Sequence, residues 1–374
     1  MKHTIIGLSV FMLIFSACRK DNIHEGSTNL QFEIPEFYAN HNKNSAVVFI
    51  AGQESKLNAP QDLDFDSNPS RSDELWVINK DIVATGGSTV MLSNVAKPNQ
   101  SYEWRRDGNA WHFMNTPSAI SFSKENYNWA TSHDILDANH AGGTFTGPSL
   151  WSSNLSVYAI DQGQGTNGSH LDMLHGSPYS MGIESDKDNA FWVFDGYNEE
   201  IVYYDFKDDH GPGMHDHSDG VIRRYSDVKV KRLPGIPSHM VLDSDRKWLY
   251  VVDGGNNRVF RMDVTSAKFK NFLPLRNELL AEHTEYTEAI TEVLLDSKDN
   301  LVKPCGIELV ENRLFVSDYE SGNIICYDLQ KQKVIDIFKT GAKGLMGIKY
   351  NKSEKRLYFV NSLANSVNKI EPLQ

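Results

Sequence analysis

The sequence predicts an all-β fold, a six-bladed propeller, and three observations carry that expectation. Pairs of short apolar runs separated by polar turns recur six times along the 374 residues. The composition favours strands, with 18 Phe, 15 Tyr and 7 Trp. The first run of several pairs carries a small residue, Gly182, Gly306 or Gly347, at a position where a narrow axis would crowd any side chain.

The pairs follow one another in order: "QDLDFDS" with "ELWVINK", "PSAISFS" with "NWATSHD", "YSMGIES" with "AFWVFDG", "SHMVLDS" with "WLYVVDG", "CGIELVE" with "RLFVSDY", and "MGIKYNK" with "RLYFVNS". Third strands follow at "EEIVYYDF", "NRVFRMDV" and "GNIICYDL", and polar fourth strands at "VIRRYSDV" and "KVIDIFKT". A four-stranded sheet cannot bury both faces alone, whereas a ring of such sheets buries them all. The last unit runs out of chain after "NSVNKIEP", so "SAVVFIAG", ahead of the first unit, is expected to supply its outer strand. The period is irregular at the opening stretch, at Asp134 to Leu150 and at Leu275 to Asp296. The last insertion contains "NELLAEHTEYTEAITEVLL", whose spacing suits a helix or a terminal strand.

The ends of the second strands, "FWVFDGYNEEIVYYD", "LYVVDGGNNRVFRMD" and "LFVSDYESGNIICYD", resemble NHL repeats from about Pro60 onward. Asp195, Asp253 and Asp318, with Asn79 and Asn361 in other units, are expected to cap the following turns by accepting backbone N–H bonds. "FWVFDGYNEEIV" is also similar to a segment of the peptidyl-hydroxyglycine lyases, a propeller family that holds zinc, and that similarity implies a catalytic part for Tyr197. The zinc histidines of that family follow proline at the start of inner strands. Here those places are held by Gln61, Ser118, Tyr179, Ser238, Cys305 and Gly344, and Gly254 stands where the family has arginine. The scaffold is similar, and the zinc set is missing.

The N-terminus, "MKHTIIGLSVFMLIFSACRKDN", has a basic start, an apolar run and small residues before Cys18. It resembles a bacterial lipoprotein signal. The expected organisation is a signal peptide over 1–17, a lipidated Cys18 with a polar tether over 18–44, and the propeller over 45–374. This implies a protein anchored by palmitate-type acyl chains in the cell envelope, at the outer membrane. The net charge of −12 argues against nucleic acid as a partner. Cys305 and Cys326 fall on the first and third strands of one unit, roughly 10 Å apart, so both are expected as buried free thiols.

Two sets of residues suit a divalent metal, zinc or calcium. His239 starts an inner strand, Asp62 holds the equivalent place in the first unit, and His112 and His175 precede inner strands by a few residues. If these four converge in the channel they form a metal or acid–base site, with His239 and Tyr197 as catalytic candidates; otherwise they are unrelated loop residues. The second set is the loop "DDHGPGMHDHSDG", with His210, His215, His217, Asp216 and Asp219, which reads either as a rim metal site or as a solvated acidic turn. It joins a third strand to a fourth, so it belongs on the outer rim, away from His239. The functional expectation is a ligand-binding module for a protein, peptide or glycan, its channel lined by small or apolar groups. The rival is a metal-dependent hydrolase or lyase acting in the channel.

Overall fold

A computed structural model describes residues 45–161, 167–214, 218–275 and 277–372. The first strand, β1 (Ser45–Ala51), leads into blade 1, made of β2 (Pro60–Phe65), β3 (Leu75–Ile82), β4 (Gly86–Ser93) and β5 (Ser101–Arg105). A single helical turn, α1 (Ala110–Phe113), precedes blade 2, made of β6 (Pro117–Phe122), β7 (Trp129–His133), β8 (Ser149–Trp151) and β9 (Asp172–Met173). Blade 3 begins with β10 (Ser180–Ser185), β11 (Ala190–Asp195), β12 (Glu200–Asp205) and β13 (Val221–Lys229). Blade 4 has β14 (Met240–Asp243), β15 (Trp248–Asp253) and β16 (Arg258–Asp263). The chain then makes a hairpin of β17 (Lys268–Phe272) and β18 (Glu282–Thr287), and returns with β19 (Thr291–Leu295). Blade 5 is β20 (Pro304–Val310), β21 (Arg313–Asp318), β22 (Asn323–Asp328) and β23 (Lys333–Lys339), and blade 6 is β24 (Leu345–Asn351), β25 (Arg356–Asn361) and β26 (Ser366–Pro372).

All six expected strand pairs are present as adjacent antiparallel strands. β1 completes blade 6 by pairing with β26, from Ser45 opposite Pro372 to Val47 opposite Ile370 and beyond, so the first and last of the described strands close the ring. Second and third strands such as "AFWVFD" and "EIVYYD" are buried nearly throughout because neighbouring blades cover both faces. Between blades 1 and 2 the filling is aromatic, with Trp76, Phe122, Trp129, Trp151 and Tyr158 in one cluster and Trp129 stacked on Trp151 at 5.7 Å. The axis is narrow: a Cβ on Gly182 would lie 2.1 Å from the Ser238 carbonyl oxygen, and one on Gly306 2.3 Å from that of Met346. Cys305 and Cys326 are buried and free, and burial pushes both thiols up to about 12, which leaves them protonated and inert.

Asp195, Asp318 and Asn361 cap the following turns as expected, the last two accepting from Ser321 and Ala364 N–H at 2.8 and 3.0 Å, whereas Asp253 and Asn79 accept a backbone N–H from the segment entering the blade instead. Asp195 Oδ1 accepts from the N–H groups of Tyr197 and Asn198 at 3.0 and 2.9 Å. Asp253 accepts from Lys231 N–H at 2.8 Å, and Asp318 from Val302 and Lys303 N–H at 2.7 and 2.8 Å, so each ties its turn or the entry to its own blade. In blade 2 the same place is held by His133, which is fully buried and whose Nε2 lies 2.9 Å from Thr131 Oγ1.

The insertion from Leu275 to Asp296 forms strands, not a helix. "EHTEYT" buries His283 and Thr284, and Tyr286 stacks on Tyr225 at 5.7 Å. β18 leaves its own blade and pairs in parallel with β13, from Val221 opposite Glu282 to Tyr225 opposite Tyr286, giving blade 3 six strands. Arg224 anchors this join: its side chain is 8% exposed, and its guanidinium donates to Asp195 at 3.0 Å, Glu200 at 2.7 Å and His283 Nε2 at 2.9 Å.

Candidate functional site

Every second side chain of an inner strand faces the axis, so the six inner strands build layers. One layer, set by register, contains Asp62, Ala119, Gly182, His239, Gly306 and Gly347. Its small members leave room for one long side chain. His239 fills it from blade 4, placing Nδ1 3.5 Å from Asp62 Oδ1 in blade 1 and Nε2 2.9 Å from the Ser118 carbonyl oxygen in blade 2. Burial pushes the Asp62 carboxyl above its usual range, partly offset by His239, while Oδ2 accepts from Ile120 N–H at 3.0 Å. Above this pair, Arg232 donates to Asp134 Oδ1 at 2.8 and 2.5 Å and lies over the Tyr179 ring at 3.9 Å. These contacts tie the segment entering blade 4 to the end of blade 2 and to the segment entering blade 3.

The next layer contains Asp64, Ser121, Glu184, Val241, Glu308 and Lys349, and it forms the floor of a funnel of about 500 Å³ that opens at the other face. The polar side chains also clasp the blade seams. Asp64 Oδ2 accepts from Phe122 N–H at 3.1 Å, Ser121 Oγ from Ser185 N–H at 2.9 Å, Glu184 Oε1 from Leu242 N–H at 3.1 Å and Glu308 Oε2 from Tyr350 N–H at 3.3 Å. Lys349 Nζ, 3.7 Å from Asp64 Oδ1, spans the seam between the last blade and the first. Burial alone would lower the Lys349 ammonium's pKa, but Asp64, Glu184, Glu308 and Asp62 more than reverse this and hold it charged. Burial raises Glu184 and lifts Glu308 to about 7. The wall toward solvent carries Phe65, Tyr350, Ser67, Ser353, Lys124 and Lys352. The expected lining of small or apolar groups thus holds for only part of the first layer; the second is charged and hydroxyl-bearing.

His112 and His175 do meet, but not in the channel. Their ring centroids are 6.4 Å apart in a separate cavity of about 320 Å³ whose wall also includes Phe145, His170 and Glu278 but neither His239 nor Asp62. His175 lies under Phe145, ring centroids 3.5 Å apart, and both its backbone N–H and its Nδ1 meet Glu278 Oε1. His112 Nδ1 is 3.0 Å from the Ala138 carbonyl oxygen, and His170 stacks on Phe113 at 3.6 Å. The four-residue convergence expected from the sequence is therefore corrected to two pairs in two places. The reason is radial: a chain leaving an outer strand must cross the whole blade before it becomes an inner strand. His175, two residues after β9, and His112, in α1, are still far out on that path. Tyr197 is 49% exposed on a turn and lines neither cavity.

Of the histidine–aspartate loop, residues 208–214 and 218–220 are described, and they join β12 to β13 at the edge of blade 3. His210 Nε2 is 2.7 Å from Asp219 Oδ1. The loop leans on blade 2: Gly213 N–H donates to the His170 carbonyl at 2.7 Å, and Asn167 N–H donates to that of Gly213 at 3.0 Å. His215, Asp216, His217 and Cys18 lie outside the described residues.

Sequence reasoning missed Asp64, Glu184, Glu308 and Lys349, although a signal was there. "DLDF", "GIES", "GIEL" and "GIKY" place a charged residue at the same point of four inner runs. Glu278 and Phe145 carried no such signal, because insertions deliver them.

In sequence the chain matches no family model and none of the curated proteins. Solved structures resemble it in fold. An auxiliary nutrient binding protein from Bacteroides ovatus has a TM-score of 0.57 and 12% identity, the match covering 88% of this chain and 77% of that one. One from Bacteroides thetaiotaomicron has a TM-score of 0.56 and 10% identity, with 88% and 77% covered. A streptogramin B lyase has a TM-score of 0.52 and 11% identity, with 88% and 98% covered. At these identities the likeness is one of architecture, the six-bladed propeller.

Proposed function

We propose that this chain is a binding protein of the bacterial cell envelope, anchored by a lipid on Cys18, which takes a neutral, hydroxyl-rich solute of the carbohydrate class into its axial funnel. The observation that carries the reading is the funnel itself. It is open at one end, backed by the neighbouring layer with the buried His239–Asp62 pair, and floored by three carboxylates and the Ser121 hydroxyl around one lysine. Carboxylates accept hydrogen bonds from sugar hydroxyls, serines both donate and accept, and Phe65 and Tyr350 offer faces to C–H groups. Three carboxylates on the floor oppose an anion, while Lys349, Lys124 and Lys352 oppose a cation. The two Bacteroides neighbours are auxiliary nutrient binding proteins, which accords with a binding role.

Calorimetric titration with a panel of neutral mono- and oligosaccharides tests the funnel, with peptides and amines run alongside. The expected result is saturable binding of at least one saccharide with Kd at or below about 1 mM, weakened at least about tenfold by Tyr350→Ala, which removes a wall ring and leaves the backbone N–H in place. Binding only of peptides or amines, or saccharide binding indifferent to Tyr350→Ala, would refute the reading. The anchor is tested separately. Cys18→Ser is expected to abolish incorporation of labelled palmitate and to move the protein from the membrane to the soluble fraction. An unchanged membrane fraction would sink it. The described residues contain no helix long and apolar enough to cross a membrane.

A further inference from the structure

The loop that joins β12 to β13 carries its ligands as a set completed by another blade. His210 and Asp219 face each other across the loop's Gly-Pro-Gly turn, and the third member is Asp172, on the outermost strand of blade 2. Among the described residues, ligand atoms of Asp172, His210 and Asp219 all lie within 4.8 Å of one another. That spacing fits three donors around one small cation, each about 2.0–2.2 Å from it. Asp172 is fully buried, so a cation held there is shielded from solvent on the side of blade 2. His210 and Asp219, with side chains 16% and 34% exposed, leave a side open for water to complete the coordination. The loop is held in place for this by the two backbone bonds that tie Gly213 to His170 and Asn167.

We propose that Asp172, His210 and Asp219 bind one divalent transition-metal cation, zinc or manganese, which fastens His210 and Asp219, between β12 and β13 of blade 3, to the outer strand of blade 2. One imidazole with two carboxylates selects this class, since calcium takes an all-oxygen shell. The ion braces the fold, because the site lines neither the funnel nor the histidine cavity. Its outcome is therefore independent of saccharide binding.

Full-length protein without a histidine tag, stripped with EDTA and dialysed, is titrated with zinc chloride and manganese chloride by calorimetry, and its melting is followed with and without each ion. We expect one site per chain for at least one of the two ions and a melting midpoint raised by several degrees. Asp219→Asn and His210→Gln, both at partly exposed positions, each weaken binding at least about tenfold, and so does Asp172→Asn, while His140→Gln leaves it unchanged. No binding of either ion, or binding that survives both loop substitutions, overturns the site. Loss with the loop variants but not with Asp172→Asn overturns the fastening between blades.

Discussion

Replacing Lys349 with methionine destabilises the propeller by roughly 3–5 kcal/mol at pH 8, the cost of leaving buried charges without their partner. Lys349 is the cation that Asp62, Asp64, Glu184 and Glu308 share at the axis. Methionine fills the stem's volume, so the loss reports charge and not a void. The same substitution costs less at pH 5. Glu308 is lifted to about 7, so at pH 5 it is already neutral and one of the repelling charges is gone. In the unmodified protein the sign for Glu308 is the reverse of an ordinary carboxylate. The folded state keeps a proton that the unfolded chain gives up near 4.5, so its contribution to stability declines as pH rises from about 4.5 to about 7. Urea unfolding of both proteins at pH 5 and pH 8 provides the check. An equal loss at the two pH values, or a loss under about 1 kcal/mol, would show that the axial charges are screened by water.

His133→Gln removes a source of acid lability. Burial, with the nearby His112 and His175, lowers the His133 imidazole from 6.5 to about 3. The folded state holds it neutral while the unfolded chain takes a proton, so this stability is complete above pH 6.5 and is lost as pH falls toward 3. The slope is about 1.4 kcal/mol per pH unit once the unfolded chain is protonated. At pH 7 the variant is the weaker protein, having lost the contact with Thr131 Oγ1. By pH 5 the gap between the two narrows by about 2 kcal/mol. Comparing variant with parent cancels the opposite slope from Glu308. A gap that stays constant between pH 7 and pH 5 would mean that His133 does not remain neutral in the folded state.

The strands were legible because sheets covered on both faces write their burial as apolar runs with β-branched and aromatic residues, and hairpin turns write themselves as Gly, Asn and Asp. Even the borrowed strand of blade 6 followed from counting strands. The path of β17 and β18 was not legible. "EHTEYT" lies in a stretch whose spacing suits a helix or a terminal strand, "KFKNF" carries no repeat signal, and nothing local says that an edge one blade away will take them. The site was half legible for the same reason. Charged residues in matching positions of "GIES", "GIEL" and "GIKY" announce an axial layer, because the repeat aligns them. His112 and His175 meet Phe145 and Glu278 only because two insertions fold over the outside of blade 2, and insertions have no repeat to fix them.

The borrowed strands also dictate a timetable. A ribosome delivers about 5–20 residues each second. Val221 opens the edge of β13, and its partner Glu282 is still 61 residues away, so that edge waits several seconds for β18 while blade 4 emerges. β1 waits longest, since its partner β26 is the last strand made. Throughout that interval Val47, Val48 and Phe49 sit on an unpaired edge near the start of the chain. Blades of consecutive strands can form as they emerge, but β1 and the outer edge of β13 stay unpaired until later sequence arrives, and the ring closes only when β26 is made.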